Sequence, residues 1–275
     1  LNLVDTKKDE SILPSRYSYY DVGRLGKIKD QGIYGTCWAF ASLTAVETSL
    51  MPEEKYDFSE DNMVWNSGYF GAQYDGGDYT RAISYLASWR GPVLEEDDVY
   101  GDGINNSDAG VVKHVQEAQI IESKNLEAVK KAVFLYGGVE SSLYTSMSYA
   151  GERSMYYNDK NYSYCYIGTK KPNHDVVIIG WDDNYSKDNF STKPTNNGAW
   201  IIRNSYGKAI EISMEQLRKN NPGLEDEEIV SAFSASMNCN CTLSEDGQIL
   251  NVSVGDNGIF YVSYEDAYIY SDLLC

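Results

Sequence analysis

Beginning at Cys37, apolar residues fall at Phe40, Leu43, Ala45, Val46 and Leu50, a helical period that Met51-Pro52 ends. Ser59 to Trp65 predicts a short helix capped by Ser59, with Asn62 and Met63 inside it. After Gly76-Gly77, Tyr79 to Trp89 is again helical, and Gly91-Pro92 stops it. Leu126 to Tyr136 predicts one more helix, closed by Gly137-Gly138. Beyond it the pattern changes to short strand-like segments: Val139 to Leu143, Val176 to Trp181, Ala199 to Arg203 and Ile259 to Tyr264. A helical part (about residues 22–105) followed by a strand-rich part (about 106–275) predicts two lobes of an α+β protein, with the boundary in the polar stretch Gly101 to Gly110. Lys208 to Asn257 separates two strand candidates. Its amphipathic stretches at Met214 to Leu217 and Ile229 to Phe233 predict a helical excursion on the second lobe.

The 275 residues are 42% apolar, enough for a substantial core. No apolar run approaches the ~20 residues that cross a bilayer. Leu1 to Ser15 is polar and carries no signal-peptide pattern, and the absence of an initiator Met fits a processed form. With 41 acidic and 23 basic residues the formal charge is −18, a surface that repels nucleic acid and anionic lipid and attracts cationic peptides. The five cysteines are Cys37, Cys165, Cys239, Cys241 and Cys275. An odd count leaves at least one thiol without an intrachain partner, and Cys239 and Cys241 stand too close in sequence to favour pairing with each other.

Lys29 to Phe40 places two glycines and small residues ahead of Cys37, which opens a predicted helix. Unpaired N–H groups and the dipole at a helix N-terminus favour a thiolate. Of the two histidines, His114 lies in a polar stretch and reads as exposed, whereas His174 stands at the mouth of a predicted strand. Asn204 ends the next strand and is followed by Ser205-Tyr206-Gly207. Adjacent strands would set the imidazole beside the amide, with the thiol facing both. In that arrangement the imidazole takes the thiol proton and the amide fixes its tautomer. Asp182 to Asp188 alternates oxygen ligands as calcium loops do, but it lacks the turn glycine and terminal glutamate, so a polar hairpin tip is the preferred reading.

In Gln31 to Phe40, His174 with Val176 to Trp181, Asn204 to Gly207 and Gly258 to Tyr264, the chain resembles the papain family of cysteine peptidases. Asp75-Gly76-Gly77 and Gly91-Pro92 extend the resemblance from about Pro14 to Tyr268. The resemblance implies a papain-like peptidase domain over 14–275. Its helical left lobe and β-barrel-like right lobe would flank a cleft, with residues 208–257 as an insertion and 1–13 as a pro-segment remnant. It further implies Cys37 as nucleophile, His174 as base, Asn204 as its orienting residue and Gln31 as the oxyanion-hole glutamine. Substrate contacts would come from Gly76, Gly77, Asp78, Asn173, Asp175 and Tyr206, without metal or cofactor. Protein or peptide substrates and the enzyme's own pro-peptide are the implied partners.

Two departures from the family pattern bear on chemistry. Tyr34 stands where a disulfide-forming cysteine is usual, so packing must hold the loop before Cys37. Asp175 follows the histidine where a small residue lining the S2 pocket is common, and a carboxylate there would attract Lys or Arg. The stretch Gly180 to Ser186 is most similar to bacterial members exported to the cell surface, which implies a secreted or surface-bound enzyme. The alternatives are an aminopeptidase whose cleft the insertion blocks, and a binding module that keeps the fold without the chemistry.

Overall fold

The structure, a computed structural model, describes residues 13–69, 75–147, 152–208, 210–239, 241–252, 257–270 and 273–274. The pro-segment expectation for residues 1–13 therefore lies almost wholly outside the described residues, as does Cys275. A short strand β1 (Arg16–Ser18) leads to α1 (Cys37–Leu50), α2 (Glu60–Asn66), α3 (Tyr79–Ala87) and α4 (Leu126–Leu135). Then come β2 (Val139–Leu143), β3 (Tyr157–Asn158), β4 (Ser163–Tyr164), β5 (His174–Asp182) and β6 (Ala199–Arg203). An excursion follows: β7 (Ile210–Ser213), α5 (Met214–Asn220), α6 (Asp226–Ser236), β8 (Cys241–Leu243) and β9 (Ile249–Val252). The chain returns in β10 (Ile259–Ser263) and β11 (Leu273–Leu274).

Helices α2, α3 and α4 start where a side chain supplies a cap. Ser59 Oγ accepts the Asn62 N–H at 3.0 Å, Asp78 Oδ1 that of Thr80 at 2.8 Å and Asn125 Oδ1 that of Ala128 at 3.0 Å. Helix α1 differs, because it is buried along most of its length and lacks a polar stripe. Trp38, Ala39 and Leu43 pack with Phe58, Met63, Ala82, Tyr85 and Leu86 of the helical part. Ala41 instead joins the sheet-side core of Val129, Val133, Ile178, Ile179, Trp181 and Ile202. One helix thus serves two cores, and its N-terminus is fixed by both.

The main sheet runs β11-β2-β5-β6-β10-β4-β3, with β1 paired to β5. No pairing among the described strands joins β3 back to β11, so the sheet is open rather than barrel-like. Its end strands carry two residues each, too few to close it. Strand β5 is central: β2 pairs its first half, β1 its second, and β6 runs along the other edge. Gly180 makes this possible, because a Cβ there would sit 2.2 Å from the Tyr17 carbonyl oxygen. The excursion corrects the expectation of a helical insert. It holds both helices but also a separate sheet, β7-β9-β8, around Met214, Ile229 and Leu250. Strand β7 alternates apolar and polar residues over only four positions and is mostly exposed.

The loop before α1 is held by polar contacts as well as by packing, which corrects the reading from Tyr34. Lys29 Nζ contacts Glu47 Oε1 (2.8 Å), Glu60 Oε1 (2.7 Å) and the Phe58 carbonyl (3.0 Å). Tyr100 donates its hydroxyl to the Gln31 carbonyl (2.9 Å), and Tyr34 packs edge-on against it. Glu47 and Glu60 are nearly inaccessible, so removing their cation would strand two buried carboxyls. Lys29→Met is expected to lower the unfolding free energy by about 3–5 kcal/mol. Urea titration reads this directly, and an unchanged midpoint would contradict it.

Candidate active site

The Thr36 hydroxyl, at the start of α1, contacts Tyr100 Oη (2.6 Å) and does not cap the helix. First-turn N–H groups are therefore open to another acceptor. The backbone amides of Trp38 and, from the facing strand, of Asp175 act on the Cys37 sulfur in the sense that favours a thiolate. That places it beside the residue next to His174. Burial, with the charges of Asp175 and Glu140, pushes the thiol up to about 12.

His174 opens β5, and its Nε2 lies 2.7 Å from Asn204 Oδ1 at the end of β6. The same Oδ1 accepts the Ser205 N–H at 2.8 Å, which identifies it as the oxygen and assigns the shared proton to Nε2. Nδ1 is then the basic nitrogen. Tyr206 stacks on the imidazole (centroids 4.8 Å apart, 27° between planes) and donates its hydroxyl to the Met147 carbonyl at 3.0 Å. Burial, offset in part by the Asn204 bond, pulls the imidazole down to about 4. Each shift on its own disfavours the charged form of its group.

Gln31 lies beside the same strand end. Its N–H donates to the Ser205 carbonyl (2.8 Å), and Gly207 N–H donates to that of Lys29 (3.0 Å). Ser205 Oγ donates to Gln31 Oε1 at 2.7 Å, fixing which end of the amide carries the donors. One of the two side-chain N–H donors goes to the Tyr34 carbonyl (2.8 Å). The role of Ser205 was missed, although its place between Asn204 and Tyr206 was the available signal.

Carboxyl groups cluster behind the sulfur. Asp175 Oδ1 accepts from Ser142 Oγ at 2.6 Å, and Ser42 of α1 donates to Glu140. Complete burial, followed by the charges of Asp175 and of Asp78 at the α3 cap, raises the Glu140 carboxyl well above the ordinary range. Glu140 and Ser142 were also missed. A glutamate inside a short apolar strand was the sign.

The remaining candidates divide. Gly77 packs against the Trp38 indole, so closely that a Cβ would lie 2.4 Å from Nε1, while Gly76 has open space and a left-handed φ of 71°. Asn173 spends its side chain on the Thr145 backbone, accepting its N–H (2.7 Å) and donating to its carbonyl (2.9 Å), so it braces the entry to β5. His114 is exposed and stacks on Trp89, away from Cys37. In the Asp182 to Asp188 turn, Asp183 is engaged by Lys130 and by the Tyr264 hydroxyl, and Asp182 accepts the Asn184 N–H (2.9 Å). Those contacts suit a polar turn, and no group of three or more metal-ligating side chains occurs among the described residues. A larger apolar concavity between the second half of α1 and residues 113–119 includes neither Cys37 nor His174.

Solved structures similar to this chain include a Cys-to-Ala variant of a clostridial cysteine protease, Cwp84, after propeptide cleavage. It is 28% identical, with a TM-score of 0.69 over 95% of this chain and 57% of that one. A second structure, the protease and lectin-like domains of Cwp84, a surface layer associated protein of Clostridium difficile, gives 27% identity. Its TM-score is 0.68 over 96% of this chain and 52% of that one. Among curated proteins, cathepsin K of Gallus gallus is 28% identical over 209 residues, 70% of this chain and 55% of the relative. The chain spans about half the length of the curated relatives it matches, 47–57% for the first three. The profile described as Papain family cysteine protease matches residues 13–232, most of the chain, and the chain belongs to that family.

Proposed function

We propose that the chain is a cysteine endopeptidase in which Cys37 attacks the peptide carbonyl and His174 receives its proton. The observation that carries this reading is the His174 Nε2–Asn204 Oδ1 bond, with Cys37 near enough to Asp175, the next residue on β5, to feel its charge and its backbone amide. Because Nε2 carries a proton, Nδ1 is free of one and able to act as base. Because burial disfavours each charge alone, proton transfer accompanies the attack. The transfer creates thiolate and imidazolium together, and each charge then stabilises the other. Gln31 and the Cys37 N–H would hold the oxyanion, His174 would protonate the leaving amine, and water would cleave the thioester with His174 as base. Tyr206 covers the His174 ring and keeps water from the His174–Asn204 bond, and the Gly76-Gly77 edge would pair an extended substrate.

The carboxyl cluster supports a preference for Lys or Arg at P2. Asp175 and Glu140 raise the Cys37 thiol, so a cationic side chain entering beside them would gain an ion pair and relieve their field on the sulfur. A surface of formal charge −18 favours the same substrates. A secreted or cell-surface location rests on likeness to the surface-layer protein, and no helix among the described residues is long and apolar enough to cross a membrane. Finding the chain in the cytosolic fraction of its source cell would contradict that location. Inhibition by the enzyme's own pro-peptide rests on the relative solved after propeptide cleavage. Adding the detached pro-peptide to the active chain tests it, and undiminished turnover would remove the idea.

Blocked peptides separate endopeptidase from aminopeptidase, and Cys37→Ala separates both from a binding module. The wild type is expected to cleave N-terminally blocked peptides, with kcat lower by on the order of 10⁶ in Cys37→Ala and by about 10²–10³ in Gln31→Ala. Cleavage confined to free amines would overturn the endopeptidase reading. Asp175→Asn removes a charge that raises the thiol, so thiolate forms at lower pH. Its alkylation profile is expected to move toward acid, with faster alkylation near neutrality. The ratio of kcat/KM for Lys over Leu at P2 should fall by at least tenfold, about 1.4 kcal/mol. An unmoved profile and ratio would remove Asp175 from the pocket.

A further inference from the structure

Cys239 and Cys241 play no part in the proposed chemistry, yet their sulfurs lie 3.1 Å apart as free thiols. Their sequence spacing argued against pairing, and the structure shows how the sulfurs meet. Residues two apart on extended chain present side chains to one side, and their Cα atoms are at most about 7 Å apart, close to the span a disulfide needs. Asn238, in the left-handed region at φ 47°, turns the chain out of α6 so that Cys239 enters the path toward β8.

The turn is held against the body of the protein. Cys239 bridges Glu152, the Arg153 N–H donates to the Asn238 carbonyl at 2.8 Å, and the Arg153 guanidinium reaches Ser234 Oγ. Ser234 Oγ donates in turn to the Cys239 carbonyl at 2.6 Å. Cys239 is buried and Cys241 half-buried, so a reagent in solution meets Cys241 first. Partial burial and the neighbouring Cys239 push the Cys241 thiol up to about 12, and Ser234 and the Arg153 charge offset this only in part.

We propose that Cys239 and Cys241 form a reversible redox site, oxidised to an intramolecular disulfide by exchange with a small-molecule disulfide such as oxidised glutathione. The Cys241 thiolate attacks one sulfur of the reagent, forming a mixed disulfide and releasing one reduced thiol. Cys239 then loses its proton, attacks the Cys241 sulfur and expels the second thiol. Two protein thiols are oxidised and one disulfide is reduced. The sulfurs close by about 1 Å to reach bonding distance. The ring formed at the α6–β8 corner stiffens the return of the excursion where it touches Glu152. Glu152, which bridges Cys239, is near enough to Tyr206, the residue stacked on His174, for its charge to be felt there.

The test uses the full chain carrying Cys37→Ala, so it does not depend on the peptidase reading. After equilibration in glutathione buffers, the peptide containing both residues is expected to lose the mass of two hydrogens. Both thiols should become closed to iodoacetamide, and dithiothreitol should reverse the change. Partial burial and the neighbouring thiol raise the Cys241 group, so oxidation should be several-fold faster at alkaline than at neutral pH. Hydrogen exchange of the β8 amides should slow in the oxidised form. In Cys239→Ser, Cys241 should stop at the glutathione adduct. Thiols that stay open to alkylation at every glutathione ratio, or a disulfide linking either residue to Cys165 or Cys275, would overturn the proposal.

Discussion

Two backbone hydrogen bonds, Gln31 N–H to the Ser205 carbonyl and Gly207 N–H to the Lys29 carbonyl, tie the loop that enters α1 to the end of β6. They are the pairing on which the candidate site depends. Cys37 and Gln31 approach from one side, His174 and Asn204 from the other, and a loop free to swing would carry sulfur and amide away from the imidazole. Each further contact on the loop has the same sense. Lys29 fixes it to α1 and α2, Arg203 donates to the Lys27 carbonyl at 2.9 Å and Ser205 grips the Gln31 side chain. Where a covalent bridge is usual in the family, a set of charge-assisted hydrogen bonds holds the geometry.

Much of the fold was legible because its central elements are buried and therefore patterned. Strands β2 and β6 lie where the apolar runs end, since every second neighbour on both faces is packed. Helix α1 begins at Cys37 and stops at Leu50, ahead of the proline. Strand β5 is longer than its apolar run because His174 and Asp175 pair with β2 although they are polar. The excursion was read as helical because its helices bury a few apolar residues, whereas β7 and β8 are three or four residues long and mostly face water, too short for their alternation to stand out.

At the site, the residues named from sequence are those with distinctive neighbours in the chain: Gln31, Cys37, His174 and Asn204. What sequence hid are residues that act through spatial partners. Tyr100 stands 69 positions from the Gln31 carbonyl it holds, and Glu140 stands 98 from Ser42. Asn173 was read as a substrate contact because it adjoins the histidine, yet its amide completes the hydrogen bonding of Thr145. A side chain's sequence neighbours indicate its strand, not which backbone groups lack partners.

The protonation of the resting site follows from the same burial that orders it. A thiol and an imidazole sealed between two cores both lose hydration, so each charged form alone is disfavoured. Proton transfer within the pair creates both charges at once and lets each stabilise the other, so the pair is governed by its mutual attraction more than by either group in isolation. Asp175 and Glu140 oppose the thiolate and do nothing for the imidazole's neutral form. Under the proposed preference for Lys or Arg, a substrate cation placed beside them would change both recognition and reactivity, and these two effects cannot be separated by altering Asp175 alone. They separate when a neutral isostere of the cationic side chain is compared on the unaltered protein.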